Sequence, residues 1–373
     1  MMERQRSRNG TIWGLQYMRG IAALMVVLFH LKERLPDNIA PFFNNGRGGV
    51  DIFFIISGFI IYFITQNSSE LNPKTFIIKR AFRIFPLYWF IFLISTFLFF
   101  TKFDFTSVVR GFFLFHNNYQ APAPGFGFSI VGVAWTLTYE IYFYAIFLIC
   151  SLLSNRFRGE ITSAVLLTLP VALQFHFNGG FSLSSSVSVN AHGNGFFSQA
   201  LHIVSNTMIY EFVLGIVLCK SYLYLRKSTI PVMVWRSLFA ISTALSVAIF
   251  YNDVGLWFGI YKPYNGNISN ALGYGGFIFM AIPFALMFLF FELSKFKKTI
   301  PPLMFLGNIS FSLYLCHWFV NRLFTNYMPD FNSMNSFFVI LILSFLMAYT
   351  CHILIEKPGV KMIRRTGPGP ALS

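Results

Sequence analysis

Residues 11–31 read TIWGLQYMRGIAALMVVLFHL. Twenty helical residues at about 1.5 Å each span the ~30 Å hydrocarbon core of a bilayer. This run has that length, and Arg19 is the one Lys, Arg, Asp or Glu in it. It lacks a small-residue cleavage site, so it reads as a membrane span and not as a removable leader. Similar runs recur along the chain, near 49–66, 84–101, 132–153, 162–178, 206–225, 237–251, 271–293, 302–324 and 335–355. The expected fold is therefore all-α, a polytopic membrane protein with about ten transmembrane helices over 11–356. A segment of 1–10 precedes them and a tail of 357–373 follows.

Composition supports this reading. Of 373 residues, 55% are hydrophobic and 11% charged, against roughly 25% charged in soluble domains. Mean hydropathy is +0.62. A water-exposed globular enzyme and a disordered chain are both excluded. Net charge is +15, which in a soluble protein suggests nucleic acid. Here the cations cluster between apolar runs and mark topology. With the N-terminus cytoplasmic, 20 of the 28 Lys and Arg fall on inner segments and 7 on outer ones, with Arg19 inside its span. Both termini are thus expected inside. The four cysteines lie within apolar runs, as small hydrophobes do. The outer segment 179–205 has no Lys, Arg, Asp or Glu; it reads equally as a flexible loop and as one resting on the membrane.

Ionisable groups at membrane depth are costly, which makes them functional candidates. Arg19 and His30 share the first span, about 16 Å apart along its axis. Asp51 opens the second span at the level of His30. Glu140 lies in the outer half of the fourth span, Glu211 in the outer part of the sixth and His317 in the outer half of the ninth. Each also has a structural reading. His30 and His317 can be interfacial or bridge helices, Arg19 can snorkel, Asp51 can cap its helix, and Glu211 reads first as a buried structural partner. Several such groups at one depth argue for a shared polar cavity. On the inner side, Arg80 and Arg83 are three residues apart and share a helix face. Two guanidinium forks suit phosphates, although topology and lipid headgroups also account for them. The sequence has no Walker loop, His-Glu-x-x-His, Cys-x-x-Cys or Gly-x-Ser-x-Gly.

These residues together resemble the membrane-bound acyltransferase-3 family. The resemblance is carried by Arg19-x10-His30, Gly49-Val-Asp-Ile-Phe-Phe, Ser57-Gly-Phe59, Arg80-x-x-Arg83 with Pro86, Trp135 to Glu140, and Gly307-Asn-Ile-Ser-Phe-Ser-Leu-Tyr314-Leu-Cys-His317. It implies a stand-alone, ten-span enzyme of a bacterial inner membrane. The implied reaction moves an acyl group, commonly acetyl, from cytoplasmic acetyl-CoA to a hydroxyl of a surface or lipid-linked glycan such as O-antigen, capsule or exopolysaccharide. The family's critical residues correspond to Arg19, His30, Ser57–Phe59, Arg80 and Arg83.

On that basis His30 is the expected general base, oriented by Asp51 or Glu140. Arg80, Arg83, Ser57 and Gly58 are expected along the acyl-CoA path, and Trp135, Tyr139 and His317 toward the acceptor. Ser57, Trp135 and Tyr139 each qualify as the donor to the oxyanion, and an acyl-histidine intermediate stays open. No resident cofactor, metal or nucleic acid is expected; the partners are acyl-CoA, glycan and membrane lipid, and homo-oligomers are compatible with the sequence. The rival class is a proton-coupled transporter or glycan exporter, against which stands the absence of a visible repeat between the chain halves.

Overall fold

The computed structural model describes residues 12–66, 71–99, 103–192, 195–251, 276–296, 299–331 and 333–359. Within these the chain is helical, with no strand. The expected 1–10 segment, the residues 252–275 that include the first five of the expected eighth span, and the tail from 360 onward lie outside them. Among the described residues nine helical runs are long and apolar enough to cross a membrane, and Ala281–Leu293 is a shorter apolar one. The nine coincide with nine of the ten expected spans, and the shorter one lies in the expected 271–293 span.

Helix α1 (Trp13–Leu31) carries Arg19 and His30 and is followed by a 3-10 segment, Ala40–Gly48. Helix α2 (Gly49–Thr65) returns antiparallel to it. Helix α3 (Pro73–Leu98) begins eleven residues before the expected third span. Its start is set by Asn72, whose side chain accepts from Thr75 N at 3.0 Å, and by Pro73 at a position where no N–H is needed. Arg80 and Arg83 therefore lie within a membrane helix and not ahead of one.

A short helix, α4 (Phe105–Phe112), precedes α5 (Trp135–Leu153) and α6 (Arg158–Asn178). Gly179 closes α6 at φ +71°, a left-handed conformation that glycine adopts without steric cost. Next come α7 (Phe196–Val204), α8 (Tyr210–Leu225), α9 (Val232–Tyr251) and α10 (Gly276–Leu293). The last two, α11 (Pro301–Tyr327) and α12 (Met334–Cys351), are followed by a π-helical turn, His352–Glu356.

Without a water-driven hydrophobic force between them, helices in lipid associate through close packing of small residues. Two such crossings position the site. On α2, a Cβ at Gly58 would strike the Phe212 carbonyl of α8; on α8, one at Gly215 would strike the Ile55 carbonyl. On α11, a Cβ at Gly307 would strike the Gln16 carbonyl of α1, while Gly20 faces Leu306. Several hydroxyls inside the helices bond the carbonyl one turn back, as in Thr65 to Ile61 at 2.7 Å and Ser344 to Ile340 at 2.7 Å.

By helix alternation the long connections 113–131 and 179–206 lie at the His30 end of the bundle. The described residues of the second, 179–192 and 195–206, are folded. Asn206 Nδ2 donates to Ser185 O at 2.7 Å and Val187 O at 2.9 Å, and Gln174 Nε2 donates to Ser205 O at 2.8 Å. His116, Tyr119, Phe126 and His202 lock the two connections together through ring contacts with centroids 5.5 to 5.7 Å apart.

Candidate active site

A narrow cavity of about 50 Å³ lies between α1, α2, α3, α5 and α11. Its polar lining is Arg19, Ser57, Arg83, Thr136, Glu140, Ser310 and Tyr314, set among Val50, Phe53, Phe54 and Phe311. Five helices thus contribute side chains that lie up to about 290 residues apart in the chain.

Glu140 is the hub. Its Oε1 accepts from Ser57 Oγ at 2.9 Å and from the Tyr144 hydroxyl. The Tyr144 ring also lies 5.4 Å from the Arg80 guanidinium, and Phe76 lies 5.8 Å from it. Among the described residues no acceptor bonds the buried Arg80 Nε, a donor left over for an anion. Arg19 bonds Gln16 Oε1 at 3.3 Å and feels the charges of Arg83, Glu356 and Glu140. Three guanidinium groups, Arg19, Arg80 and Arg83, are thus matched by two carboxylates. Glu356 itself, on the π-helical turn, accepts from Ser312 Oγ at 2.8 Å and contacts His352 Nδ1 at 2.9 Å.

Tyr314 joins this cavity to a second group of side chains. It lines the cavity, bonds Thr136 Oγ1 at 2.9 Å and Val133 O at 2.8 Å, and its ring lies 6.0 Å from that of His317. His317 Nε2 is 3.1 Å from His30 Nδ1, and Trp318 stands edge-on to His30 at 5.4 Å. His30 Nδ1 is also 3.0 Å from Val26 O, and His317 Nδ1 is 3.0 Å from Leu313 O.

The expected residues separate into three groups. Arg19, Ser57, Arg83 and Glu140 share the cavity, with Arg80 beside it. His30 and His317 form a pair at the far end of α1. Asp51 belongs with neither: it faces Glu211 from the first turn of α2 to the first turn of α8, both fully buried, and no donor elsewhere among the described residues reaches their oxygens. The group at His30 is therefore His317, and not Asp51 or Glu140 as the sequence suggests. Gly58 lies at the α2–α8 crossing. Trp135 and Tyr139 pack edge-to-face at 5.7 Å, with the Tyr139 hydroxyl 3.5 Å from Pro124 O.

Glu356 and Tyr144 were not singled out by sequence, and Tyr314 was named only as part of the Gly307–His317 motif, with no role. Glu356 precedes Lys357-Pro358 and reads as a helix boundary. Its i,i+4 relation to His352 was the available signal. Tyr314 stands three residues before His317, on the same helix face.

The acyltransferase domain model of the acyltransferase-3 family matches residues 12–356. The chain belongs to the acyltransferase-3 family. Its run of apolar helices makes it a multi-pass membrane protein. The chain is 30% identical over 159 residues to the exopolysaccharide production protein ExoZ of Rhizobium meliloti (strain 1021), a match covering 39% of this chain and 46% of that protein. It is 24% identical over 370 residues to the putative membrane-bound transacylase BcsY of Komagataeibacter xylinus, covering 95% and 84%. A third relative, the putative peptidoglycan O-acetyltransferase YrhL of Bacillus subtilis (strain 168), is 24% identical over 383 residues, covering 92% and 54%. The matches thus span about half the length of ExoZ and of YrhL. No solved structure matches the chain.

Proposed function

We propose that this acyltransferase moves an acyl group, acetyl in the first instance, from cytoplasmic acyl-CoA to a hydroxyl of a surface or lipid-linked polysaccharide, with His30 as general base. The observation that carries the reading is the division along α1: a cation-rich cavity around Arg19 and a histidine pair at the other end, joined by Tyr314. The relatives named for exopolysaccharide production and peptidoglycan O-acetylation support the acceptor class.

The charge split along the sequence sets the orientation, with the Arg80 end facing the cytoplasm. The donor's phosphates meet Arg80 and Arg83 by charge-assisted hydrogen bonds. Its thin pantetheine arm then runs past Arg19 and Ser57 toward Tyr314. The acceptor hydroxyl comes from the opposite side of a bacterial inner membrane. His30 takes the hydroxyl proton while the oxygen attacks the thioester carbonyl. The tetrahedral intermediate collapses, the C–S bond breaks, and the departing thiolate receives the proton from the imidazolium.

The test is the acyl content of surface glycan in cells with the chain, without it, and with His30→Ala at equal membrane abundance. The expected result is acylated glycan only with the native chain. Acylation undiminished in His30→Ala removes the base assignment. A glycan whose location but not acylation follows the chain overturns the acceptor assignment in favour of export.

A further inference from the structure

We infer that His317 is a positioning residue for His30: it accepts the His30 Nδ1 proton, holds the imidazole in one orientation and leaves the Nε2 lone pair as the basic atom. The inference rests on the proposed role of His30 and adds to it which nitrogen acts and what keeps it so.

His317 Nδ1 is 3.0 Å from the Leu313 carbonyl, which can only accept. Nδ1 therefore carries the proton of His317, and a neutral imidazole has just one. His317 Nε2 is left with a lone pair, and this lone pair faces His30 Nδ1 at 3.1 Å. A hydrogen bond between two ring nitrogens needs a proton on one of them, so it sits on His30 Nδ1. The Val26 carbonyl, 3.0 Å from the same nitrogen, requires the same placement independently. The N–H is shared between two acceptors, and His30 Nε2 holds the free pair. Among the described residues no side chain or backbone group bonds Nε2.

When Nε2 takes the proton of a hydroxyl, the positive charge spreads to Nδ1–H, and the His317 lone pair stabilises it. An aspartate does this in hydrolases that use a serine, histidine and aspartate. A neutral imidazole suits the membrane interior better, because it spares the bundle a buried anion facing a base that is uncharged for most of the cycle. The two acids expected to fill the role are engaged elsewhere, Asp51 with Glu211 and Glu140 with Ser57 and Tyr144. Trp318 and Tyr314 hold the two rings in place.

The experiment combines kinetics and a spectroscopic readout on the full chain in lipid nanodiscs, with acetyl-CoA as donor and a glycan preparation as acceptor. His317→Phe removes the acceptor atom but keeps a flat ring. Its kcat should fall roughly 10- to 100-fold, the kinetic equivalent of one lost hydrogen bond to a charged group, with KM for both substrates unchanged. His317→Gln retains an acceptor oxygen and should restore most of the loss. Equal rates for the Phe and Gln variants, or a change confined to KM, overturn the inference. In the native chain, 15N-histidine NMR should show the proton on Nδ1 of both His30 and His317. A proton on His317 Nε2 would make His30 Nδ1 the acceptor and overturns it without any variant. If His30→Ala abolishes transfer while His317→Phe keeps full kcat, the positioning role alone fails. If His30→Ala is active, the base assignment fails as well.

Discussion

Arg83 shows how one residue's setting decides what its loss does. It lines the cavity together with Glu140 and Arg19, so two cations share one space with one carboxylate. Glu140 and Glu356 offset part of this charge, and the cation left over is matched once an anion enters. On the proposed function, Arg83→Gln removes one charge-assisted hydrogen bond to the donor's phosphates, worth about 1.5–3 kcal/mol. The expected outcome is a rise in KM for acetyl-CoA of roughly 10- to 100-fold, with KM for the glycan unchanged. Titrating both substrates against the purified variant checks it, and a change limited to the acceptor counts against a phosphate role. The sequence put Arg83 at the inner face and Glu140 in the outer half of its span, whereas the two line one cavity with Arg19 and Ser57, because depth counted along helices gives a level only to within a turn or two. Depth does not sort groups into pairs. His30, Asp51, Glu211 and His317 occupy neighbouring levels. Which carboxyl meets which imidazole depends on helix rotation, which hydropathy does not report.

At the scale of elements, α3 begins at Pro73 and not near 84, and the cause is local. A hydropathy reading stops at Lys79, Arg80 and Arg83, whereas the backbone stops at the Asn72 cap and Pro73. Basic residues with long apolar stems ride inside a helix end without breaking it. Gly58 teaches the same lesson. Read as room for a substrate arm, it is instead where α8 touches α2, and its Cβ would meet the backbone of Phe212. Backbone cannot yield as a side-chain tip can, so Gly58→Val must push the two helices apart. Gly179 provides the contrast, because nothing stands within 4 Å of a Cβ there and only its φ of +71° opposes a side chain. Gly179→Ala should therefore cost about 1 kcal/mol, and Gly58→Val several times more. Thermal denaturation in detergent, read by size-exclusion, measures both. Equal shifts would mean that the α2–α8 crossing does not hold the bundle together.

For the molecule as a whole, the His30 end is covered by ordered polypeptide, and that cover has a built-in response to acid. His116 is buried against Tyr119 and Phe126. Burial pushes its pKa down to about 3, and that of His202 down as well. Among the described residues its Nε2 has no hydrogen-bond partner, so a second proton would add a charge that none of them receives. An exposed histidine titrates near 6.5. Above that pH both the closed and the opened cover hold a neutral ring, and the histidine favours neither. Below it the opened form binds a proton that the closed form refuses, so closure weakens as pH falls from about 6.5 toward about 3. Hydrogen exchange of amides in 113–131 and 179–206, corrected for intrinsic rates, should therefore show more frequent opening at pH 5 than at pH 7.5. His116→Phe keeps the ring packing and removes the titrating group, so it should flatten that dependence. An unchanged slope in the variant would assign the response to other groups. The transmembrane helices should keep their protection at both pH values, because the two histidines sit in the cover and not in the bundle beneath it.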